Sequence, residues 1–358
     1  MKKVYLFLEN GMSFCGQAFG AQGDAIGELV FTTSMVGYLE TLTDNNYYGQ
    51  VVMQTFPLIG NYGVISEDLK GKKPALKAYI VKEVCDAPSN FRCEGDLDTY
   101  LKENGVVGIC GVDTREITKI LRTHGVMNCM ITDRDTLTED EMDELRSYKV
   151  KGVVEALSTS SVVDVVNPEN PKRRIVLWDF GESGNLVEKL AEKGCEVICM
   201  NYAHTAKEIW QVSPDGVVLS DGAGNPADNA DIISEIRLLC KKKVPIFGLG
   251  LGHQMLAISQ GATTHKLKYG HRGSSQPVIE NATGRIFITT QNHGYAVTTP
   301  PHNATQTYTN VNDKTCEGIE YNGMPVYSLE FAPWSASGPV DTNYMFDKFI
   351  ETVDNYKK

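Results

Sequence analysis

The spacing of apolar and polar positions changes character part-way along the chain. Up to about residue 153 the apolar residues come in short runs set off by turn residues, a β-rich pattern with a few helices. Residues 4–8 and 27–33 read as strands, and residues 96–104 and 114–124 as helices. Residues 155–174 then pass through Ser-Thr-Ser-Ser and Asn-Pro-Glu-Asn-Pro-Lys-Arg-Arg, small polar residues and prolines that mark a connection. Past it, apolar strands at 175–180, 195–200, 216–219 and 244–248 alternate with helices at 185–193, 205–211, 228–241 and from the glycines after 248 to about 260. That alternation predicts an α/β fold with a mostly parallel sheet flanked by helices on both faces. The expected division is a β-rich N-terminal domain over 1–153, a linker over 154–173 and an α/β domain over 174–358.

Length and composition change this picture little. At 358 residues the chain has room for two cores, and with 42% hydrophobic and 22% charged residues it reads as an ordinary globular protein. A net charge of −11 without a Lys/Arg run argues against nucleic acid as a partner, because phosphate binding needs clustered cations. The opening Met-Lys-Lys-Val-Tyr-Leu-Phe-Leu meets Glu9 and Asn10 too soon for a leader and reads as a first strand. No apolar stretch approaches the roughly 20 residues of a membrane helix, so no membrane partner is expected. The nine cysteines are scattered and mostly set in apolar runs, the pattern of a reduced, cytoplasmic protein. Cys195 and Cys199 have metal-pair spacing, but no second pair at ligand spacing accompanies them; they read as core thiols, and no metal is expected.

The sharpest local motif is Pro245-Ile-Phe-Gly-Leu-Gly-Leu-Gly-His-Gln-Met-Leu-Ala257. Three glycines between an apolar strand and a helix form the layout of a nucleophile elbow, where a side chain stands exposed on a strained turn above a helix N-terminus. Such a place favours a thiolate and offers backbone N–H groups to an oxyanion. A phosphate-binding turn is the weaker alternative, since the run departs from the GxGxxG spacing.

This segment resembles the class I glutamine amidotransferases, whose corresponding run is Gly-Ile-Cys-Leu-Gly-His-Gln. Other motifs narrow the resemblance to the small subunit of carbamoyl-phosphate synthetase, over nearly the full length. In the first half they are Gly27-Glu-Leu-Val-Phe-Thr-Thr-Ser-Met-Val-Gly-Tyr38, Leu42-Thr-Asp44, Ser89-Asn-Phe-Arg92 and Val112-Asp-Thr-Arg115. In the second they are Asp179-Phe-Gly181, Tyr269-Gly-His271, Gln291-Asn-His-Gly294 and Ser337-Gly-Pro339, in the family's order. The resemblance implies a small-subunit-specific N-terminal domain followed by a class I amidotransferase domain. It implies glutamine hydrolysis by a Cys nucleophile, a His base and a Glu that orients the His. It also implies a large-subunit partner that receives ammonia through a tunnel. That partner performs the ATP- and Mg-dependent steps of arginine and pyrimidine precursor synthesis, so no cofactor is expected in this chain.

Matched to these motifs, the nucleophile position is Gly250. The family's closing Gly-His-Pro-Glu-Ala-Ser-Pro-Gly-Pro reads Phe331-Ala-Pro-Trp-Ser-Ala-Ser-Gly-Pro339, so the base position is Ala332 and the orienting position Trp334. Glycine has no side chain, a methyl group accepts no proton, and an indole only donates. Three coordinated losses argue against a laboratory knock-out. A relocated triad built on Cys240 or Cys316 is disfavoured, since both lie outside the elbow and no His follows His302. Natural loss of glutaminase function is the expectation, with Trp334 filling the vacated space. Glycine also relieves the elbow's strain once chemistry is gone, since a non-Gly residue there costs on the order of 1–3 kcal/mol.

Carried over by motif, the glutamine pocket comprises Gly222, Gly224, Leu251, Gln254, Asn292, Gly294 and Tyr295, with Asn46 where the family has Ser. The surroundings depart further: Asp221-Gly-Ala-Gly-Asn225 stands for Asn-Gly-Pro-Gly-Asp, and Arg-Gly-Ser-Ser-Gln follows His271 in place of His-Gly-Gly-Asn-His. The glycines have a simpler explanation as strand-end turns, and His253 and Gln254 as residues that cap and pack a helix. Glu330 is the one ionisable residue just before Ala332, and a lone carboxylate there reads as solvated or paired. Three functions stay open: a non-hydrolysing partner of the large subunit, a stand-alone sensor binding glutamine or a related small ligand, and an enzyme with new chemistry.

Overall fold

The computed structural model describes residues 2–69, 72–159, 163–182, 185–333 and 338–357. The chain divides into two compact units, Met1–Lys151 and Gly152–Lys358.

The first unit carries strands β1 (Lys3–Leu8), β2 (Ser13–Gly20), β3 (Ala25–Thr32), β4 (Gln50–Gln54), β5 (Leu58–Ile59), β6 (Ala78–Ile80), β7 (Glu83–Val84), β8 (Val107–Cys110) and β9 (Met127–Thr132). Seven of them close a barrel in the order β1-β2-β8-β6-β4-β3-β9, while β5 pairs with β7. Side chains alternate along each strand, so neighbouring residues enter different cores. Leu29, Val51 and Met53 pack with Ile117 and Leu121. Val30, Val52 and Tyr79 pack with Leu39, Leu42 and Leu97. The helix Thr114–His124 follows its residue pattern: Asp113 caps it by accepting from Glu116 N–H, and Ile117, Ile120 and Leu121 bury one stripe.

The second unit adds β10 (Val163–Val166), β11 (Arg173–Asp179), β12 (Cys195–Asn201), β13 (Gly216–Leu219), β14 (Ile246–Leu249), β15 (Thr263–Glu280), β16 (Ile286–Thr299), β17 (Ala304–Asn310), β18 (Cys316–Tyr321) and β19 (Val326–Leu329). They form a single sheet ordered β10-β12-β11-β13-β14-β19-β18-β16-β15-β17. Strands β12, β11, β13, β14 and β19 pair in parallel, and the rest of the sheet is antiparallel. The expected parallel core is present, with a long antiparallel extension that the strand–helix rhythm did not announce. Both faces of the core are covered. Val176, Trp178, Val217, Leu219 and Ile246 meet Ile232, Ile236 and Leu256 on one side. Ile175, Leu177, Val197, Val218 and Phe247 meet Leu186, Leu190, Phe346 and Phe349 on the other.

The stretch read as a linker carries structure of its own. Gly152 opens a helix, Val153–Leu157, that buries Val153 and Val154, and β10 pairs antiparallel with β12 at the sheet edge. The Ser/Pro-rich text obscured two short Val-rich segments, each able to join a core or a sheet edge.

One contact sets the position of the later site. A Cβ placed on Gly252 would lie 2.5 Å from Leu219 O and 2.6 Å from Ser220 O, both backbone atoms that cannot yield cheaply. Gly252→Ala is therefore expected to cost about 2–3 kcal/mol, read from urea unfolding. A change within about 0.5 kcal/mol, the range of an ordinary surface substitution, would contradict this packing.

Candidate functional site

The site forms where three chain segments meet at the carboxyl ends of neighbouring strands, the place where open α/β sheets gather ligands. The first is the elbow. Strand β14 ends at Leu249, Gly250 turns the chain at φ 47° and ψ −114°, and Leu251 begins the helix Leu251–Ser259. Backbone bonds hold the turn: Gly250 N–H donates to Leu329 O (2.9 Å), Gly252 N–H to Ser220 O (3.0 Å), and Gln254 N–H to Gly250 O (3.1 Å). The helix behind it is apolar nearly all round and buried.

The second segment follows β13. Ser220 Oγ accepts from Phe180 N–H (2.8 Å) and donates to Asp221 O (2.7 Å). A Cβ on Gly222 would stand 2.5 Å from Phe180 O, and Gly224 has φ 98°. Both glycines are required by the backbone, whatever binds beside them.

The third segment leaves β19 as Glu330, Phe331 and Ala332. Ala332 N–H donates to Thr290 O (3.1 Å), tying this segment to β16. Trp334, expected at the orienting position and as a filler of the pocket, lies outside the described residues. Asn46 lies in the first unit, in the turn Asn45–Tyr47, where its N–H donates to Asp44 Oδ1 (2.9 Å).

Around these segments is a buried polar network. Gln254 Nε2 donates to Tyr295 O and to Glu330 Oε1, both at 2.8 Å. His253 Nδ1 lies 2.7 Å from Ser328 Oγ, and its Nε2 lies 3.7 Å from Glu330 Oε2. His293 donates from Nδ1 to Tyr295 O (2.7 Å). Across the β15–β16 ladder, His271 faces His293, Arg272 faces Asn292 and Lys266 faces Tyr295. Gly294 lies beside Arg272, whose Nη2 would be 3.2 Å from an added Cβ. Gln291 Nε2 donates to Glu317 Oε2 (2.8 Å), and Asn310 Nδ2 to Glu317 Oε1 (3.2 Å).

Two expectations sharpen here. Glu330 is 4% exposed and is paired, its Oε1 accepting from the Gln254 amide. Gln254 does more than cap its helix: its amide group is turned inward onto Glu330 and Tyr295 O. Glu317, Gln291 and Ser328 were not anticipated as site residues. The signal for them was weak: polar side chains at single positions within apolar strands.

Burial decides most of the protonation states. It lowers His253 to about 3, so the ring is neutral. Burial, helped by the Glu317 charge and opposed by the Gln254 hydrogen bond, raises Glu330 well above the carboxylate range. His293 is driven well down by burial and by neighbouring His271. At His271 burial opposes charge, but the Asp313 hydrogen bond and the charges of Asp313 and Glu317 outweigh it and raise it to about 9. The substitute nucleophiles fare poorly, because burial lifts Cys240 and Cys316 each to about 12 and leaves them protonated at neutral pH.

An elbow between a parallel strand and a helix, with neighbouring strand ends supplying the rest, is the frame of a class I glutamine amidotransferase. That family's model matches residues 176–352, and the model of the carbamoyl-phosphate synthase small chain CPSase domain matches residues 6–131. A carbamoyl phosphate synthase small chain of Clostridium perfringens (strain 13 / Type A) is 43% identical, covering 98% of this chain and 99% of its own. One from Fusobacterium nucleatum subsp. nucleatum is 43% identical, covering 99% of each. A pyrimidine-specific small chain of Halalkalibacterium halodurans is 42% identical, covering 99% of this chain and 98% of its own. The chain belongs to the carbamoyl-phosphate synthase small chain family.

A pH dependence follows from Glu330. The folded protein holds a proton that the unfolded chain releases above its ordinary value of 4.5. This group's contribution to stability is therefore complete below that pH and declines as pH rises towards the raised folded value. Glu330→Gln keeps the acceptor for Gln254 and removes the decline. The variant should gain on the parent steadily from pH 4.5 to 8 in urea unfolding, and a pH-independent difference would mean that Glu330 is ionised when folded. His253 acts in the opposite sense: its contribution is complete above 6.5 and is lost as pH falls towards 3.

Proposed function

We propose that this protein is a small subunit that does not hydrolyse glutamine and instead stabilises or regulates a large synthetase subunit working from free ammonia. The products would be precursors of arginine or pyrimidines, with ATP and Mg handled by the large subunit. Gly250 carries the proposal: the elbow is fully built, and the residue at its apex has no side chain. Ala332 at the base position offers only a methyl group, and Trp334 at the orienting position has no acceptor. The loss of nucleophile and base together removes the parts on which covalent amide hydrolysis depends.

Loss of chemistry need not mean loss of a pocket. The glutamine-pocket positions Gly222, Gly224, Leu251, Gln254, Asn292, Gly294 and Tyr295 are proposed as its remnant. A ligand amide would have to compete with Glu330 and Tyr295 O for Gln254. Nine cysteines without a disulfide suit a reducing compartment, and we place the protein in the cytoplasm on that ground.

Co-expression with a large subunit tests the proposal. Ammonia should support carbamoyl phosphate synthesis by the complex, while glutamine should support none above background. Gly250→Cys alone should leave glutaminase activity at background, because no imidazole stands at position 332 and a Cβ at 250 meets Asp221 Cβ at 3.0 Å. Glutamine-supported synthesis by the unmodified complex would overturn the proposal. Saturable glutamine binding without large-subunit association would point instead to a sensor.

A further inference from the structure

One part of the buried network is explained neither by the family's chemistry nor by its loss. His271 on β15, His293 on β16 and Glu317 on β18 each present one donor atom, and these atoms lie within 4.8 Å of one another. His271 and Glu317 are buried, at 6% and 0% exposure, and Gln291 beside them is 2% exposed.

Each of these groups is secured on the side facing away from the others. His271 Nε2 is bonded to Asp313 Oδ2 (2.8 Å), and Asp313 is fixed in turn by Thr315 Oγ1 (2.7 Å). His293 Nδ1 donates to Tyr295 O (2.7 Å). Glu317 Oε2 accepts from Gln291 Nε2. A carboxylate on one imidazole and a backbone carbonyl on the other are the outer partners that orient metal-binding histidines.

Glu317 Oε1 accepts from Asn310 Nδ2 (3.2 Å), while the other inward-facing atoms are poorly matched to one another. His271 Nδ1 completes no hydrogen bond, although Glu317 Oε1 is 3.5 Å away. With its proton on Nδ1, neutral His293 turns the lone pair of Nε2 towards Gln291 Oε1 at 3.1 Å, so two acceptors face each other. Reversing the Gln291 amide would satisfy His293 but set its oxygen against the Glu317 carboxylate. A cation among these four atoms resolves the mismatch.

We propose that His271 Nδ1, His293 Nε2, Glu317 Oε1 and Gln291 Oε1 form a structural site for a divalent transition-metal ion of the zinc class. Two imidazoles with oxygen donors suit zinc. Bonds of about 2.0–2.1 Å place tetrahedral donors about 3.3 Å apart. The 3.1 and 3.5 Å separations are already close to that, and the widest gap among His271, His293 and Glu317 closes by at most about 1.5 Å. The ion would clamp β15, β16 and β18, the antiparallel extension beside the elbow.

The test uses the full chain without an affinity tag, stripped by chelator and titrated with zinc chloride by calorimetry. Metal content is then measured after gel filtration. One zinc per chain is expected, with a raised melting temperature. Glu317→Gln and His293→Gln should each weaken binding at least about 100-fold, and Asp313→Asn about 10–100-fold. No stoichiometric zinc, or unchanged binding in both Glu317→Gln and His293→Gln, overturns the site. Should those variants unfold, cobalt(II) in the unmodified protein decides: the visible absorption of a tetrahedral ion supports the site, and an octahedral spectrum sinks it.

Discussion

The second unit depends on one close approach of backbone to backbone. Gly250–Gly252 sits against the end of β13 with Gly252 N–H bonded to Ser220 O, leaving no room for a side chain at position 252. That contact fixes where the helix Leu251–Ser259 begins, and so which of its residues face the sheet. His253 and Gln254 are thereby turned into the interior, towards Ser328 and Glu330, instead of towards solvent. The positive φ of Gly250 follows from the same constraint, because the chain must leave β14 and enter a helix without moving off the β13 carbonyls.

Polar groups turned inward must find partners, since an unpaired buried donor or acceptor costs about 1–3 kcal/mol. The network around Glu330 and Glu317 meets that demand with amides, a serine and backbone carbonyls, and by keeping Glu330 protonated. It is held without a Lys or Arg partner for either acid among the described residues. A neutral acid beside neutral imidazoles is stable there but is a poor proton acceptor, because its affinity for the proton comes from burial and not from any reacting partner.

Much of this was legible in the sequence because it rests on local pattern. Apolar runs of four to seven residues marked the strands, and the helices read at 114–124 and 205–211 start within a residue of those observed. Glycine spacing alone located the elbow. Pairing between distant segments was less accessible: the antiparallel extension β18-β16-β15-β17 has strands without intervening helices, and residues 154–173 hid a helix and an edge strand in linker-like text. Burial of single polar residues was least accessible. Glu317 and Glu330 look like any surface carboxylate in sequence, and only the strands stacked around them make them core.

On the proposed function, fold and activity would separate in this architecture because of where each is stored. The elbow is held by main-chain bonds and by glycines at 222 and 252 that exclude side chains, so its frame does not rest on a side chain at position 250. Ala332, at the position matched to the base, keeps its backbone bond to Thr290 whatever its side chain. Gly250 is therefore cheap for the fold, since any other residue would sit strained and pressed on Asp221. A chain can in this way remain 43% identical to small-chain relatives over 98–99% of its length with a glycine at the apex of its elbow. What selection could still act on is the surface and core that the scaffold preserves, which is where a partner role, and not catalysis, would be written.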